Sequence, residues 1–200
     1  MVAYLSIDSR IGTGILAAVL AGLSGCTEAT PLAAAGVALR PPAGWRAVDR
    51  TTWLVPGTPL GAWAGPGGSS LVVYRTLAIP AGRAEQVLTE QANRLVNLPG
   101  LKVVGQRVDT AGGLPAARVE AVAPGTGDAL AATGMGTPLA PAGKALMPTR
   151  RIMITVPRAG DTLSFVWHAP ESEADALGAQ VDATLGSLTI DRGRLATAAY

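Results

Sequence analysis

The stretch RIMITVPRAGDTLSFVWHAP, residues 151–170, decides the fold. Arg151–Val156 and Thr162–Trp167 are two runs rich in β-branched and aromatic residues, which favour strands. Between them, Arg158-Ala159-Gly160-Asp161 carries the Gly and Asp of a tight turn. Strands joined so closely run antiparallel, because a parallel return needs a crossover of about a dozen residues or more. A helix begins near Pro170, with Ala174, Leu177, Val181, Leu185 and Leu188 sharing one face at helical spacing. Glu171 and Glu173 in its first turn suit the positive end of the helix dipole.

The preceding sequence repeats this logic. Leu101–Val108 and Ala116–Val122 read as a hairpin around Ala111-Gly112-Gly113-Leu114-Pro115. In its second strand Ala117, Val119 and Ala121 alternate with Arg118 and Glu120, which predicts one buried and one wet face. Before it, Ala84, Val87, Leu88, Ala92, Leu95 and Val96 fall on one helical face, and Pro99-Gly100 ends that helix. Further upstream the period is mostly two. Val37–Leu39, Thr52–Val55, Gly61–Ala64 and Ser70–Ala78 read as strands, with a turn at Gly65-Pro66-Gly67-Gly68. Pro124 to Thr149 has no period; its 26 residues hold five Gly, four Pro and two charges, and a solvated, open loop is expected. Strands, helix, hairpin, loop, hairpin and helix in that order argue an α+β domain around an antiparallel sheet.

Composition narrows the function classes. The 200 residues are 48% hydrophobic and 15% charged, which excludes a disordered chain. No apolar run approaches the roughly 20 residues of a spanning helix. Sixteen basic and 14 acidic residues leave a net charge of +2, too little for a nucleic-acid footprint. One Cys and one His exclude disulfide scaffolds and His/Cys metal clusters, so no metal, cofactor or nucleic acid is expected.

The opening stretch differs from the rest. Arg10 precedes a mostly apolar, uncharged run from Ile11 to Leu23, the layout of a secretory signal. It ends in Leu23-Ser24-Gly25-Cys26, which resembles the lipobox of bacterial lipoproteins. Lipid transfer needs a thiol nucleophile, and the small Ser24 and Gly25 let an extended backbone enter a peptidase site. The resemblance implies a diacylglycerol on Cys26, cleavage before it, and a membrane anchor of two or three acyl chains. It also implies that Thr27, standing after the lipid-bearing residue, sends the protein to the outer membrane, facing the periplasm, in a Gram-negative cell. Residues 1–25 are then the signal, 26–36 a lipidated tether, 37–191 the domain and 192–200 a tail. Gly12-Thr13-Gly14-Ile15-Leu16-Ala17 matches a loose dinucleotide pattern, but no strand precedes it and it lies inside the signal.

Within the domain, Pro42-Ala43-Gly44-Trp45 after a short first strand resembles the opening of the PsbP/DcrB-like family. Gly113-Leu114-Pro115-Ala116-Ala117 and the closing Leu185-Gly186-Ser187-Leu188 fit the same layout, over about Val37 to Asp191. The resemblance implies an antiparallel sheet sandwiched by helices, an α/β/α sandwich. It also implies an accessory or interaction role without a shared catalytic site.

Few residues invite chemistry. His168 is the only imidazole; it reads as a surface or capping residue, with a ligand contact or catalysis as alternatives, and no Gly-x-Ser-x-Gly nucleophile elbow exists. Glu171, Glu173 and Asp175 read as solvated charges, since helix positions two apart point away from each other. Gly143-Lys144-Ala145 lacks the rest of a phosphate loop. Arg150-Arg151 reads as a solvated edge, with an anionic contact as the alternative. Trp45 and Trp167 read as core wedges. Trp53 and Trp63 flank a Gly/Pro-rich segment, so contact with a ligand or partner stands beside a core role. The expected function is a membrane-anchored envelope lipoprotein acting as a non-catalytic interaction or assembly module with an envelope protein partner. The alternative is a carrier for a small apolar ligand, with Met135, Leu139, Leu146 and Met147 of the loop as a lid.

Overall fold

A computed structural model of the chain describes residues 30–77, 83–97, 101–123, 137–138 and 148–191. Cys26 with the rest of the lipobox, and Met135 and Met147, lie outside the described residues.

The chain opens with a short helix α1 (Pro31–Ala34), capped by the Thr30 hydroxyl, and a strand β1 (Val37–Ala38). Strands β2 (Arg46–Ala47), β3 (Trp53–Leu54), β4 (Thr58–Ala64) and β5 (Ser70–Leu77) follow, then helix α2 (Ala84–Val96). The first hairpin is β6 (Lys102–Ala111) and β7 (Leu114–Ala123). A two-residue strand β8 (Thr137–Pro138) precedes the second hairpin, β9 (Thr149–Arg158) and β10 (Asp161–Pro170). One 3-10 turn, Glu171–Glu173, leads into helix α3 (Ala174–Ser187), and β11 (Thr189–Ile190) closes the fold.

Seven of the described strands form one antiparallel sheet in the order β2-β4-β5-β10-β9-β7-β6. Both hairpins turn on two residues, Gly112-Gly113 and Ala159-Gly160. Gly112 and Gly113 have φ of 57° and 75°, the left-handed values that a type I′ hairpin turn demands and glycine supplies at least cost. Beyond the main sheet, β1 pairs with β11, and β3 pairs with β8.

The sheet is buried on both faces. On the first, Leu71, Val73, Ile152, Ile154, Val156, Leu163, Phe165 and Trp167 meet Leu177 and Val181 of α3, with Trp45 and Leu60 alongside. On the second, Val72, Met153, Val166, Val119 and Ala121 meet Leu95, with Leu88 of α2 packed against them. The expected α+β sandwich is therefore what the chain forms, and the unbroken apolar runs in β9 and β10 reflect strands covered on both sides.

Several expectations change. Residues 31–36 are not free tether: Ala35 is buried, Leu32 packs on the core, and the Arg158 guanidinium donates to the Ala35 carbonyl at 2.9 Å. The face of β7 read as wet is covered at Arg118, because α3 lies over it and supplies Asp182 at 3.0 Å. Arg150-Arg151 is no edge, because β9 lies between β10 and β7; Arg151 is fully buried and Arg150 pairs with Glu171 at 3.1 Å. His168 is buried rather than superficial, since β10 is a central strand. Val96 is 65% exposed, because the buried line of α2 runs through Ala84, Ala92 and Leu95, and Val96 lies a step further round the helix beside its cap Asn97. Inside the periodless segment, Thr137–Pro138 pairs with β3, so that segment docks onto the domain at least there.

Candidate functional site

The strand register sorts the α2-facing surface of the sheet into rows. Val72, Val166, Met153 and Val119 lie side by side across β5, β10, β9 and β7, an apolar middle row. Toward one end the next row is Tyr74, Ser164 and Thr155, then Thr76 beside Thr162. Toward the other end it is Ser70, His168 and Arg151. Two polar rows thus flank an apolar one on this face of the sheet, the first beneath α2 and the second beside Trp53 of β3.

The first polar row carries a cavity of about 130 Å³ between α2 and the sheet. Its floor is Tyr74, Ser164 and Thr155, and its helical wall is Val87, Glu90, Gln91 and Arg94. Pro56 closes one side. The floor is a bonded network: Gln91 Nε2 donates to Thr155 Oγ1 at 2.6 Å, and Thr155 Oγ1 lies 3.5 Å from Ser164 Oγ. Burial pushes the Tyr74 phenol above its usual range, against the opposing pull of its Ser164 hydrogen bond and the nearby Arg94 charge. The phenol therefore stays protonated at neutral pH and acts as a donor or acceptor, not an anion. Gln91 Oε1 is buried without a donor among the described residues. Engineered apolar cavities of about 150 Å³ admit benzene, so this one suits a ligand of roughly one ring, with polar groups for the floor. None of its residues announces itself in the sequence. Only the strand order, which sets β5 beside β10, brings Tyr74 to Ser164.

The second polar row is fully buried. The His168 ring lies 6.1 Å from that of Trp53, tilted by 51°. Burial lowers the Arg151 guanidinium to about 10. Ser70 and Arg151 are the cross-strand neighbours of His168.

The residues singled out in the sequence separate. Trp53 is buried on the α2-facing side and Trp63 is half-buried against the opposite core. The structure does not bring them together. Trp45 and Trp167 lie in the core of the α3-facing side. Glu171 binds Arg150, and no cluster of three metal-ligating side chains occurs among the described residues. Arg118 is the charge that sequence reasoning missed. It is 5% exposed and reaches Asp109, Glu120 and Asp182. Burial works against its charge, but the bond to Asp182 and the pairing with Glu120 outweigh it and raise its pKa.

No protein-family profile matches the sequence, and no curated protein does. The chain aligns with the solution structure of cyanobacterial PsbP from Synechocystis sp. PCC 6803, at 12% identity and a TM-score of 0.46, over 78% of this chain and 94% of that one. It is also similar to the crystal structure of LpqN, involved in cell envelope biogenesis of Mycobacterium tuberculosis. There the identity is 19% and the TM-score 0.53, over 77% of this chain and 82% of that one. That likeness is one of fold: a helix-covered antiparallel sheet.

Proposed function

We propose that the chain is a cell-envelope lipoprotein, held to a membrane by acyl chains on Cys26 and acting as a non-catalytic binding module for an envelope protein partner. The observation that carries this reading is Leu23-Ser24-Gly25-Cys26 standing just ahead of a domain with the fold of an envelope-biogenesis protein. In a Gram-negative cell Thr27 would place the protein on the outer membrane, facing the periplasm. The test is metabolic labelling with an acyl analogue. Wild type should carry label in the membrane fraction and Cys26→Ser should not, since a hydroxyl is a far poorer nucleophile than a thiolate. Equal label in both defeats the anchor.

One observation favours a second reading, that of a carrier. The cavity beneath α2 is a ready concave site, though its hydroxyl floor suits a small ligand with polar groups better than a long apolar chain. Saturable binding of a fluorescent fatty acid, lost when residues 125–148 are replaced by a Gly/Ser link, would favour the apolar carrier with its loop lid instead.

A further inference from the structure

The two edges of the main sheet are unequal. One ends in β2, two residues long and preceded by Pro41-Pro42, which guards it against further pairing. The other ends in β6, ten residues long, with β7 on one side and no described strand on the other. A bulge between Val103 and Gly105 and the charge of Lys102 protect only the first part of that edge. Gly105–Ala111 is regular, and Gln106, Arg107, Val108 and Thr110 within it are exposed, Val108 by 42%.

The free groups on this edge follow from the turn. In a two-residue hairpin the closing pair, here Ala111 with Leu114, exchanges both backbone hydrogen bonds. By alternation Asp109, Arg107 and Gly105 bond to β7 as well. Gln106, Val108 and Thr110 therefore turn their N–H and C=O groups outward; the Thr110 N–H donates to Asp109 Oδ1 at 2.8 Å, which leaves two free donors and three acceptors in a row.

Val108 is the midpoint of the regular segment, and the sequence around it is complementary to itself. An antiparallel two-fold partner centred there sets Val108 against Val108, Gln106 against Thr110, and Arg107 against Asp109. The first two kinds of pair use the outward backbone groups, giving four interchain hydrogen bonds with the groups that are free, and six once Asp109 turns from its own Thr110 N–H to Arg107 of the second copy. The third lies on the opposite face as non-hydrogen-bonded pairs, where side chains come closest. It unites opposite charges twice over. Arg107 has a side-chain exposure of 57%, and it touches its own Asp109 at 3.5 Å. In the pair, the two arginines and two aspartates form an alternating square. Centring instead on Gln106 would use Val104, which the bulge displaces, and would leave Arg107 facing Gly105.

We infer that β6 is the site of a symmetric dimer, in which the sheet continues through Gly105–Ala111 into a second copy of the same chain.

The register gives a sharp test in the full-length protein, solubilised in mild detergent. Val108→Cys places two thiols on the two-fold axis, with Cα atoms about 5.5 Å apart, inside the range a disulfide spans. Gln106→Cys or Thr110→Cys alone sets its thiols four residues out of step, about 14 Å, beyond any disulfide. Mild oxidation should cross-link Val108→Cys at least about ten-fold more than either of these, as their separation exceeds the roughly 7 Å limit. An equal mixture of Gln106→Cys and Thr110→Cys should cross-link as a mixed dimer. Cys26 is the only native cysteine, so wild type run in parallel reports any bridge through it. As a second measurement, Val108→Pro removes an outward N–H without taking a bond from β7. It should sediment as a monomer where wild type sediments as a dimer. Cross-linking of Gln106→Cys alone as strong as that of Val108→Cys overturns the inference, as does wild type that sediments as a monomer.

Discussion

Trp167 offers a measurement in which two opposed terms nearly cancel. Its side chain is fully buried in the α3-facing core, stacked on Phe165 at a ring separation of 6.3 Å. Its indole Nε1 is also buried and meets no hydrogen-bond acceptor among the described residues. Trp167→Ala empties the site and should cost about 3–5 kcal/mol. Trp167→Phe removes two ring carbons, worth about 0.8 kcal/mol each, plus a small cavity. It also deletes the N–H, whose burial without a partner costs about 1–3 kcal/mol. The two contributions are of the same size, so Trp167→Phe should lie within about 1 kcal/mol of wild type. Urea melts of the mature chain separate the cases. With a slope of about 2 kcal/mol per molar, the midpoint should move by about 2 M for Ala and by no more than about 0.5 M for Phe. A Phe variant as damaged as the Ala variant would refute the reasoning and mean that the indole N–H is bonded in the folded protein.

Arg118 should be the costly member of its ion cluster: Asp182 is 66% exposed on its side chain, so Asp182→Ala should cost under about 1 kcal/mol, while Arg118→Ala, which empties a buried site, should cost more than twice as much in the same melts. Tyr74 sets an alkaline limit. Burial raises its folded pKa above the unfolded value near 10, so its contribution is intact below about pH 10 and falls away as pH rises through the folded pKa. Tyr74→Phe should flatten that alkaline loss, and an unchanged profile would place the phenol in solvent. Gly112→Ala should destabilise by about 1–3 kcal/mol: its φ is 57°, and an added Cβ would stand 2.7 Å from Ile190 Cγ1. Gly160→Ala, at φ 93° with open space around it, carries backbone strain alone and should cost less.

Both hairpins and both long helices were legible because their signals are local. Val, Ile and Phe runs around Ala-Gly or Gly-Gly turns define strands without reference to anything distant. What escaped is the partner of each strand. Alternation in β7 distinguishes two faces but does not say that α3 covers one of them, so Arg118 read as solvated. The run Ile152–Val156 did carry a signal for burial on both faces, since it is apolar without alternation apart from Thr155. That signal also applies to Arg151 and His168, whose polar letters pointed toward solvent while their strands lie at the centre of the sheet. The β3–β8 pairing is two residues long and leaves no periodicity to find. The cavity floor is assembled from β5, β10 and β9, and only the strand order makes those residues neighbours.

The two faces of the sheet differ in a way that bears on where a ligand would sit. The α3-facing side is apolar at the centre of the sheet, with Leu71, Trp167 and Ile152, then Val73, Phe165 and Ile154, then Leu163 and Val156, and it sets its charges Glu120, Arg118 and Arg75 at the ends of those rows. The α2-facing side has one row that is apolar from β5 to β7, and in the rows on either side hydroxyls, an imidazole and a guanidinium stand beside small residues such as Ala117 and Ala121. A buried polar group costs stability unless it is bonded, and a bonded one does little better than a well-packed methyl. A ligand site beneath α2 would account for the difference, because recognition needs a few directed polar groups on an apolar wall. The middle row also separates the two polar rows from each other. Substitutions in Tyr74, Ser164 and Thr155 act on a cavity that the α3-facing core does not touch, so a loss of binding there can be measured in a domain that still folds.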